Sequence, residues 1–287
     1  MIGEIWKRLF GGASTQRHDD RAAAQQQAQL TSAPPTATAG SDAVASAGSA
    51  HAPQARPANE PSPQLQAQID AQRMQLGMTM RKAGVMDLRV ISAVIDHVKR
   101  EQFLQPSLWH RAYLNEALPI GERQTISAPE IVAMMTDALK VEPDHLVLEL
   151  GTGSGYQSAI LSCLARHVYS IERWERLSKT AKVKLDRMGF DNISYHVGDG
   201  HLGWPQPVQF DRVLLTAAAA SLPQTLFEQM RMGGLLVAPV GEDLGEQVLV
   251  RAKKCPAPSG SKREYLVETE VLGSVRFVPL VAGMPQG

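Results

Sequence analysis

The sequence predicts an α/β fold built on a mainly parallel sheet, with helices packed ahead of it. Three features carry that expectation. From His145 onward, short β-rich runs alternate with helical stretches. The first of those runs passes straight into a glycine-rich loop, and apolar residues between Leu65 and Leu104 recur at helical spacing. Strands alternating with helices at that length mean βαβ units, whose crossovers leave the strands parallel.

Composition bounds the rest. With 287 residues, 44% of them hydrophobic, the chain can bury a core for one ordinary domain and carry an appendage. It has 29 Lys+Arg against 29 Asp+Glu, so nothing favours binding along a phosphate backbone, and nucleic acid is not an expected partner. Cys163 and Cys255 stand far apart with no C-x-x-C or His-rich neighbour. Neither a disulfide framework nor a metal site is expected from them. No apolar run approaches the roughly 18 to 20 residues that span a bilayer, and the amino end lacks the order of a signal peptide. A cytoplasmic protein, expected to be a monomer, is the resulting reading.

In chain order, Ile2, Ile5, Trp6, Leu9 and Phe10 share one helical face, so residues 2–10 could form a short amphipathic helix for surface or partner docking. From Gly11 to Pro63 the only large aliphatic residues are Leu30 and Val44. That composition buries too little to offset an ordering cost of roughly 1 to 2 kcal/mol per residue, so 1–63 is expected to be a disordered extension and 64–287 the folded domain. Leu65, Ile69, Met74 and Leu76 then predict a helix broken at Gly77, and Val90, Ile91, Val94, Ile95 and Val98 a second one. Strands follow at "HLVLEL", "HVYSIE", "NISYHV", "FDRVLLTA" and "GGLLVAPV", with helices from Tyr156, across Trp174 to Met188 and across Leu222 to Met230.

"LVLELGTGSGYQSA" places Gly151, Gly153 and Gly155 between a strand and a helix. In an open α/β sheet ligands bind at that strand end, where glycines let the backbone approach them. The spacing is G-x-G-x-G, without the G-x-G-x-x-G that cradles a pyrophosphate or a P-loop lysine. Glu172 closes the next strand, 172 − 151 = 21 residues on, where a carboxylate can accept from both ribose hydroxyls. A nucleoside without a pyrophosphate fits best. The third strand ends in "HVGDG", so Asp199 either accepts from an adenine amino group or forms an Asp-Gly turn with Gly200.

With "VYSIERWERL", "HVGDGHLGWP", "FDRVLLTAAA", "MGGLLVAPVG", "LPIGERQTISAP" and the closing "VRFVPLV", the sequence over roughly residues 65 to 283 resembles the protein-L-isoaspartate (D-aspartate) O-methyltransferase family. The resemblance implies a doubly wound, Rossmann-like S-adenosylmethionine-dependent methyltransferase fold with an N-terminal helical subdomain. It implies transfer of a methyl group from S-adenosylmethionine to the free α-carboxylate of L-isoaspartyl residues in damaged proteins or peptides, with S-adenosylhomocysteine as product. By the same resemblance Glu149, Gly151, Gly153 and Gly155 hold the methionine portion, Glu172 the ribose, and Asp199 with Gly200 the adenine. Gln247 faces the cofactor, and Ser127 is the active-site serine. Asn115, Arg123, Ala217, Ala218 and Val278 face the substrate.

Three positions depart from the family pattern: Arg123 stands where Gly is usual, Asn115 where Asp is frequent, and Glu130 where an aromatic residue or His is common. Arg123 either pairs with the substrate carboxylate or obstructs a loop that wanted glycine. Ser127 also stands where an N-cap is expected, ahead of Pro129 and "IVAMMTDAL". The readings that compete are a methyltransferase of the same fold acting on another carboxylate or a small molecule, and a cofactor-binding, catalytically weak tethered module.

Overall fold

The computed structural model describes residues 60–242 and 245–285. The extension expected up to residue 59, with its short helix at 2–10, lies outside the described residues. The first helix, α1 (Pro63–Lys82), begins one residue before the expected start of the domain, with the Leu65 N–H donating to the Ser62 hydroxyl at 3.2 Å. Pro at its first position costs no hydrogen bond, because that amide has no partner within the helix.

The break expected at Gly77 is absent, and α1 runs through it. One glycine weakens a helix by about 1 kcal/mol, less than burial of Ile69, Leu76 and Met80 on one face contributes. Met74, five residues beyond Ile69, lies off that face and is exposed. Next, α2 (Leu88–Ser92) passes into a π-helical turn over Ala93–His97, and Val90, Val94 and Val98 enter the core. Two 3-10 turns (Arg100–Phe103 and Pro106–Arg111) lead to a small hairpin of β1 (Leu118–Gly121) and β2 (Gln124–Ile126), then to α3 (Pro129–Leu139).

The main sheet has seven strands: β3 (Leu146–Leu150), β4 (His167–Glu172), β5 (Ile193–Val197), β6 (Phe210–Leu215), β7 (Met230–Val240), β8 (Gln247–Pro256) and β9 (Tyr265–Val275). Their spatial order is β5-β4-β3-β6-β7-β8-β9. The first five are parallel, and β8 and β9 add an antiparallel edge that the sequence reading did not identify. Between strands lie α4 (Tyr156–Ser162), α5 (Glu175–Arg187) and α6 (Gln224–Glu228). The last is shorter than expected because Pro223 caps it and Met230 already opens β7.

Two apolar clusters cover the two faces of the sheet. One gathers α1 to α4 around Val147, Val168 and Leu214, and the other gathers Trp204, Phe210, Phe227 and Met230 around Leu148 and Leu215. After β3 the chain turns toward β4, and after β6 toward β7. The carboxyl ends of β3 and β6 are therefore the topological switch point at which such sheets form a crevice. Among the described residues no helix is long and apolar enough to cross a membrane, and no group of three His, Cys, Asp or Glu side chains could hold a metal.

A Cβ added at Gly77 meets only Ile95 Cγ1, at an ordinary 3.8 Å. Gly77→Ala is expected to stabilise the protein by about 0.5 to 1 kcal/mol through helix propensity, measured as a shift of the denaturant midpoint at constant slope.

Candidate active site

A cavity of about 420 Å³ opens at the carboxyl edge of β3, β4 and β6. The glycine loop forms its floor. Gly151 has φ 100°, and a Cβ there would collide with Thr216 Oγ1 at the end of β6, so only glycine lets these strand ends come together. The Thr216 hydroxyl sits 2.9 and 2.7 Å from the carbonyls of Leu150 and Gly151, tying β6 to the loop. Gly155, at φ 87°, starts α4 against Leu185 and Ala181 of α5. Gly153, at φ 53°, lies between them on the cavity wall.

Glu172 holds the second strand end. Its carboxylate accepts from the Gly153 N–H at 2.8 Å and the Trp174 N–H at 3.0 Å, lines the cavity, and is 5% exposed. Each oxygen keeps a lone pair for a further donor. Trp174, Arg173 and Thr216 also line the wall, although the sequence reading did not name them. The same strand-end rule that found Glu172 would have found Thr216 in "LLTAAA".

Glu149 does not line the cavity. Strand alternation puts it on the opposite face from Leu150, which does, and the side chain is fully buried. It accepts from the hydroxyls of Ser158 and, at 2.6 Å, Ser170, its register partner on β4. Thr152 Oγ1 lies 2.6 Å from Ser170 Oγ, so the buried carboxylate reaches the loop through two hydroxyls. Burial pushes its pKa up to about 7, against the hydrogen bonds from Ser158 and Ser170 that favour the ionised form.

Two residues expected at the cofactor hold the C-terminal segment. Gln247 is buried, and its side chain accepts from the Phe277 N–H at 2.6 Å and donates to the Phe277 carbonyl at 3.1 Å, so both ends are committed and neither faces the cavity. Asp199 likewise does not line the wall. It accepts from the His201 N–H and the His201 ring nitrogen, both at 2.9 Å, and from the Gly283 N–H at 2.6 Å. Burial alone would raise its pKa, but these donors bring it below the ordinary Asp value. Gly200, beside it, does line the cavity.

The segment Phe277 to Val281 closes one side, paired to the alanine run by Ala218 N–H to Val278 carbonyl at 2.8 Å and Leu280 N–H to Ala218 carbonyl at 2.7 Å. Ala217 and Val278 face the cavity, whereas Ala218 is used in that pairing.

The β1–β2 hairpin and Ser127 close the other side. Glu122 and Arg123 form its two-residue turn with φ 48° and 55°, and Glu122 pairs with Arg176 of α5 at 2.8 Å. Turns of this kind need left-handed residues at both positions, so Arg123 occupies, with some strain, a conformation that glycine adopts freely. It lines the cavity without blocking it. Ser127 also lines the cavity and is not a helix cap. Ala128 is the N-cap of α3, without a side-chain hydrogen bond, and the Ser127 hydroxyl bonds to no other described residue. Asn115 and Glu130 lie off the cavity and satisfy each other: the Asn115 amide donates to the Glu130 carboxylate at 2.7 Å and accepts from the Glu130 N–H at 3.3 Å.

A family model described as protein-L-isoaspartate(D-aspartate) O-methyltransferase (PCMT) matches residues 71–284. The chain is 46% identical over 217 residues to the protein-L-isoaspartate O-methyltransferase of Parvibaculum lavamentivorans, covering 75% of this chain and 94% of that one. To the enzyme of the same name from Maricaulis maris it is 44% identical over 214 residues, covering 75% and 96%. A solved structure of a protein-L-isoaspartate O-methyltransferase from Plasmodium falciparum, in complex with S-adenosyl-L-homocysteine, superposes with a TM-score of 0.59 at 21% identity, covering 73% of this chain and 98% of that one. At that identity the likeness concerns the fold.

The raised pKa of Glu149 has a consequence for stability. Because the native state holds this proton more tightly than the unfolded chain, the contribution is full below the ordinary value of 4.5 and is lost as pH rises through about 7. The loss is on the order of 3 kcal/mol. Glu149→Gln should flatten the parent's decline between pH 5 and 8, as paired thermal melts across that range would show. Parallel curves would mean that Glu149 is ionised throughout.

Proposed function

We infer the function from one premise: the chain belongs to the protein-L-isoaspartate (D-aspartate) O-methyltransferase family. It is an S-adenosylmethionine-dependent methyltransferase that methylates the free α-carboxylate of L-isoaspartyl residues, a step in protein repair. The observation that carries this reading is one cavity lined by the glycine loop, by Glu172 and by Ser127 with its uncommitted hydroxyl.

The residues present fit the cofactor. The loop about Gly151 leaves a cradle without side chains, next to a carboxylate with free lone pairs. In this reading Gly151 to Gly155 hold the amino-acid portion, Glu172 the ribose hydroxyls, and Gly198, Gly200 and Trp174 the base. Glu149 and Asp199 act one step back, the first by setting the loop through Ser170 and Thr152, the second by shaping the turn at Gly200 and holding Gly283. When bound, S-adenosylmethionine supplies an electrophilic methyl group on a sulfonium centre.

The chain must position the acceptor and exclude water. A free α-carboxyl group, with a pKa of about 3.5, is ionised at neutral pH, so no general base is needed. Bringing one of its oxygens into line is a matter of orientation and desolvation. Ser127 is placed to donate a hydrogen bond to that carboxylate, and no His or Lys lies among the cavity-lining residues to turn it into a nucleophile. Ala217 and Val278 face the peptide on one side and Arg123 on the other. Cys163 and Cys255 are both free thiols, which suits the reducing cytoplasm.

Two measurements test this assignment. Glu172→Ala should weaken S-adenosylhomocysteine binding by roughly one to two orders of magnitude, since charge-assisted hydrogen bonds are worth about 1.5 to 3 kcal/mol. Unchanged affinity by calorimetry would remove Glu172 from the site. Ser127→Ala should lower kcat on an isoaspartyl peptide roughly tenfold or more with S-adenosylhomocysteine affinity retained, because the interaction is realised in the transition state. As Ser127 caps no helix, stability should change by less than about 0.5 kcal/mol. Equal methylation of the peptide and its normal aspartyl twin would point instead to a different acceptor.

A further inference from the structure

Arg100 is the bulkiest fully buried side chain among the described residues. A buried guanidinium ordinarily faces a carboxylate, because removing a charge from water is costly unless it is paired. Arg100 has no carboxylate within ion-pair distance among the described residues. Its chain neighbour Glu101 accepts from the Tyr113 hydroxyl at 2.9 Å, and Glu116 is taken by Arg111 at 2.8 and 2.7 Å. What meets the guanidinium is main chain: the carbonyls of Ala112, of Glu116 at 3.0 Å and of Ser127 at 3.0 Å. Its Nε has no hydrogen-bond partner among the described residues, and the Tyr156 ring, on the cavity wall, lies 5.9 Å from its central carbon.

The cation therefore stands directly behind the wall formed by Ser127 and Tyr156. The amino end of α3, with the partial positive charge of its free amides, begins two residues after Ser127. Elsewhere on the cavity wall Glu172 has no ion-pair partner among the described residues and is held only by backbone N–H groups. The cavity thus has the Glu172 carboxylate, free of any ion pair among the described residues, on its wall, and behind Ser127 a guanidinium that feels Glu116 only electrostatically, without ion-pair contact. Burial draws the Arg100 pKa down, yet a guanidinium stays protonated at neutral pH.

We propose that Arg100 is a positioning and specificity-determining residue. It fixes the main chain at Ser127 through its three-way fork, and its charge, which no carboxylate contacts, selects an anionic acceptor, the substrate carboxylate supplying the close counter-charge that the fold withholds. This rests on the isoaspartyl reading of the site and extends it. A lysine in place of Arg100 would keep the charge but lose the planar fork, whereas a methionine would keep the bulk and lose the charge.

The test uses the full chain with Arg100→Lys and Arg100→Met. Each is saturated with S-adenosylhomocysteine and titrated with an isoaspartyl peptide and with its neutral α-carboxamide counterpart. The parent should prefer the carboxylate by roughly tenfold or more, the scale of a charge interaction partly screened by protein. In Arg100→Met that preference should fall to within about twofold. In Arg100→Lys the preference should persist while kcat drops by roughly tenfold through loss of the fork. Affinity for S-adenosylhomocysteine should stay within about threefold of the parent in both.

An unchanged carboxylate preference in folded Arg100→Met overturns the proposal. So does a fall in S-adenosylhomocysteine affinity that keeps step with the loss of peptide affinity, since that marks a structural role only. If Arg100→Met does not fold, Arg100→Lys decides: a reduced kcat at retained cofactor affinity supports the proposal, and the parent kcat overturns it. A parent that binds the carboxylate peptide preferentially but does not methylate it would sink the isoaspartyl reading and leave the charge selection standing.

Discussion

At the carboxyl edge of a parallel sheet the ladder of backbone hydrogen bonds runs out, and the amides and carbonyls left there must be satisfied without filling the space above them. That constraint organises this protein. The Gly151 N–H reaches the Ile171 carbonyl at 2.8 Å, the Thr216 N–H reaches the Leu150 carbonyl at 2.9 Å, and Glu172 takes the amides of Gly153 and Trp174. Three strand ends are tied together by groups that lie flat along the edge, and the crevice above them stays open.

The walls of that crevice are borrowed from elements distant in sequence. The C-terminal segment is fixed by Gln247 at Phe277, by Ala218 at Val278 and Leu280, and by Asp199 at Gly283. The hairpin carrying Arg123 meets α5 through the ion pair between Glu122 and Arg176, and the Ser127 main chain is fixed by Arg100. An exposed ion pair such as that of Glu122 contributes little, so the hairpin is held mainly by burial of Leu118 and Ile126 in the core. Gln247 acts differently, standing in for a strand neighbour by satisfying both the donor and the acceptor of one residue.

Charge is distributed along the site to match the proposed chemistry. Carboxylates gather beneath and beside the glycine loop, where the cofactor is expected, and Glu149 is buried there deeply enough for its proton to be held near neutral pH. Positive charge gathers behind Ser127, where an anionic acceptor is expected. The departures from the family pattern fit the same scheme. Asn115 and Glu130 exchange hydrogen bonds with each other, which accounts for both at once. Arg123 adds a cation to the acceptor side at the expense of left-handed strain.

The sequence by itself determined the alternation of strands and helices, the glycine loop and Glu172 at the next strand end. Each rests on local physics: period-two and helical spacing, the conformational freedom of glycine, and the rule that ligands gather at carboxyl strand ends. Ser127 was legible only through the resemblance of "QTISAP" to the family, since the cap position that local rules assign to it is held by Ala128. The tertiary structure alone decided where the committed polar groups point. Glu149 and Asp199 fall next to cavity residues in sequence and Gln247 far from any, and strand alternation and long-range backbone partners turn all three side chains away from the cavity. Nothing local in "KREQF" marks Arg100 for burial, and Gly77 reads as a helix end. Contacts with Ala112, Glu116 and Ser127 decide the first, and packing of α1 reverses the second, because both outcomes depend on contacts between residues that local spacing does not relate.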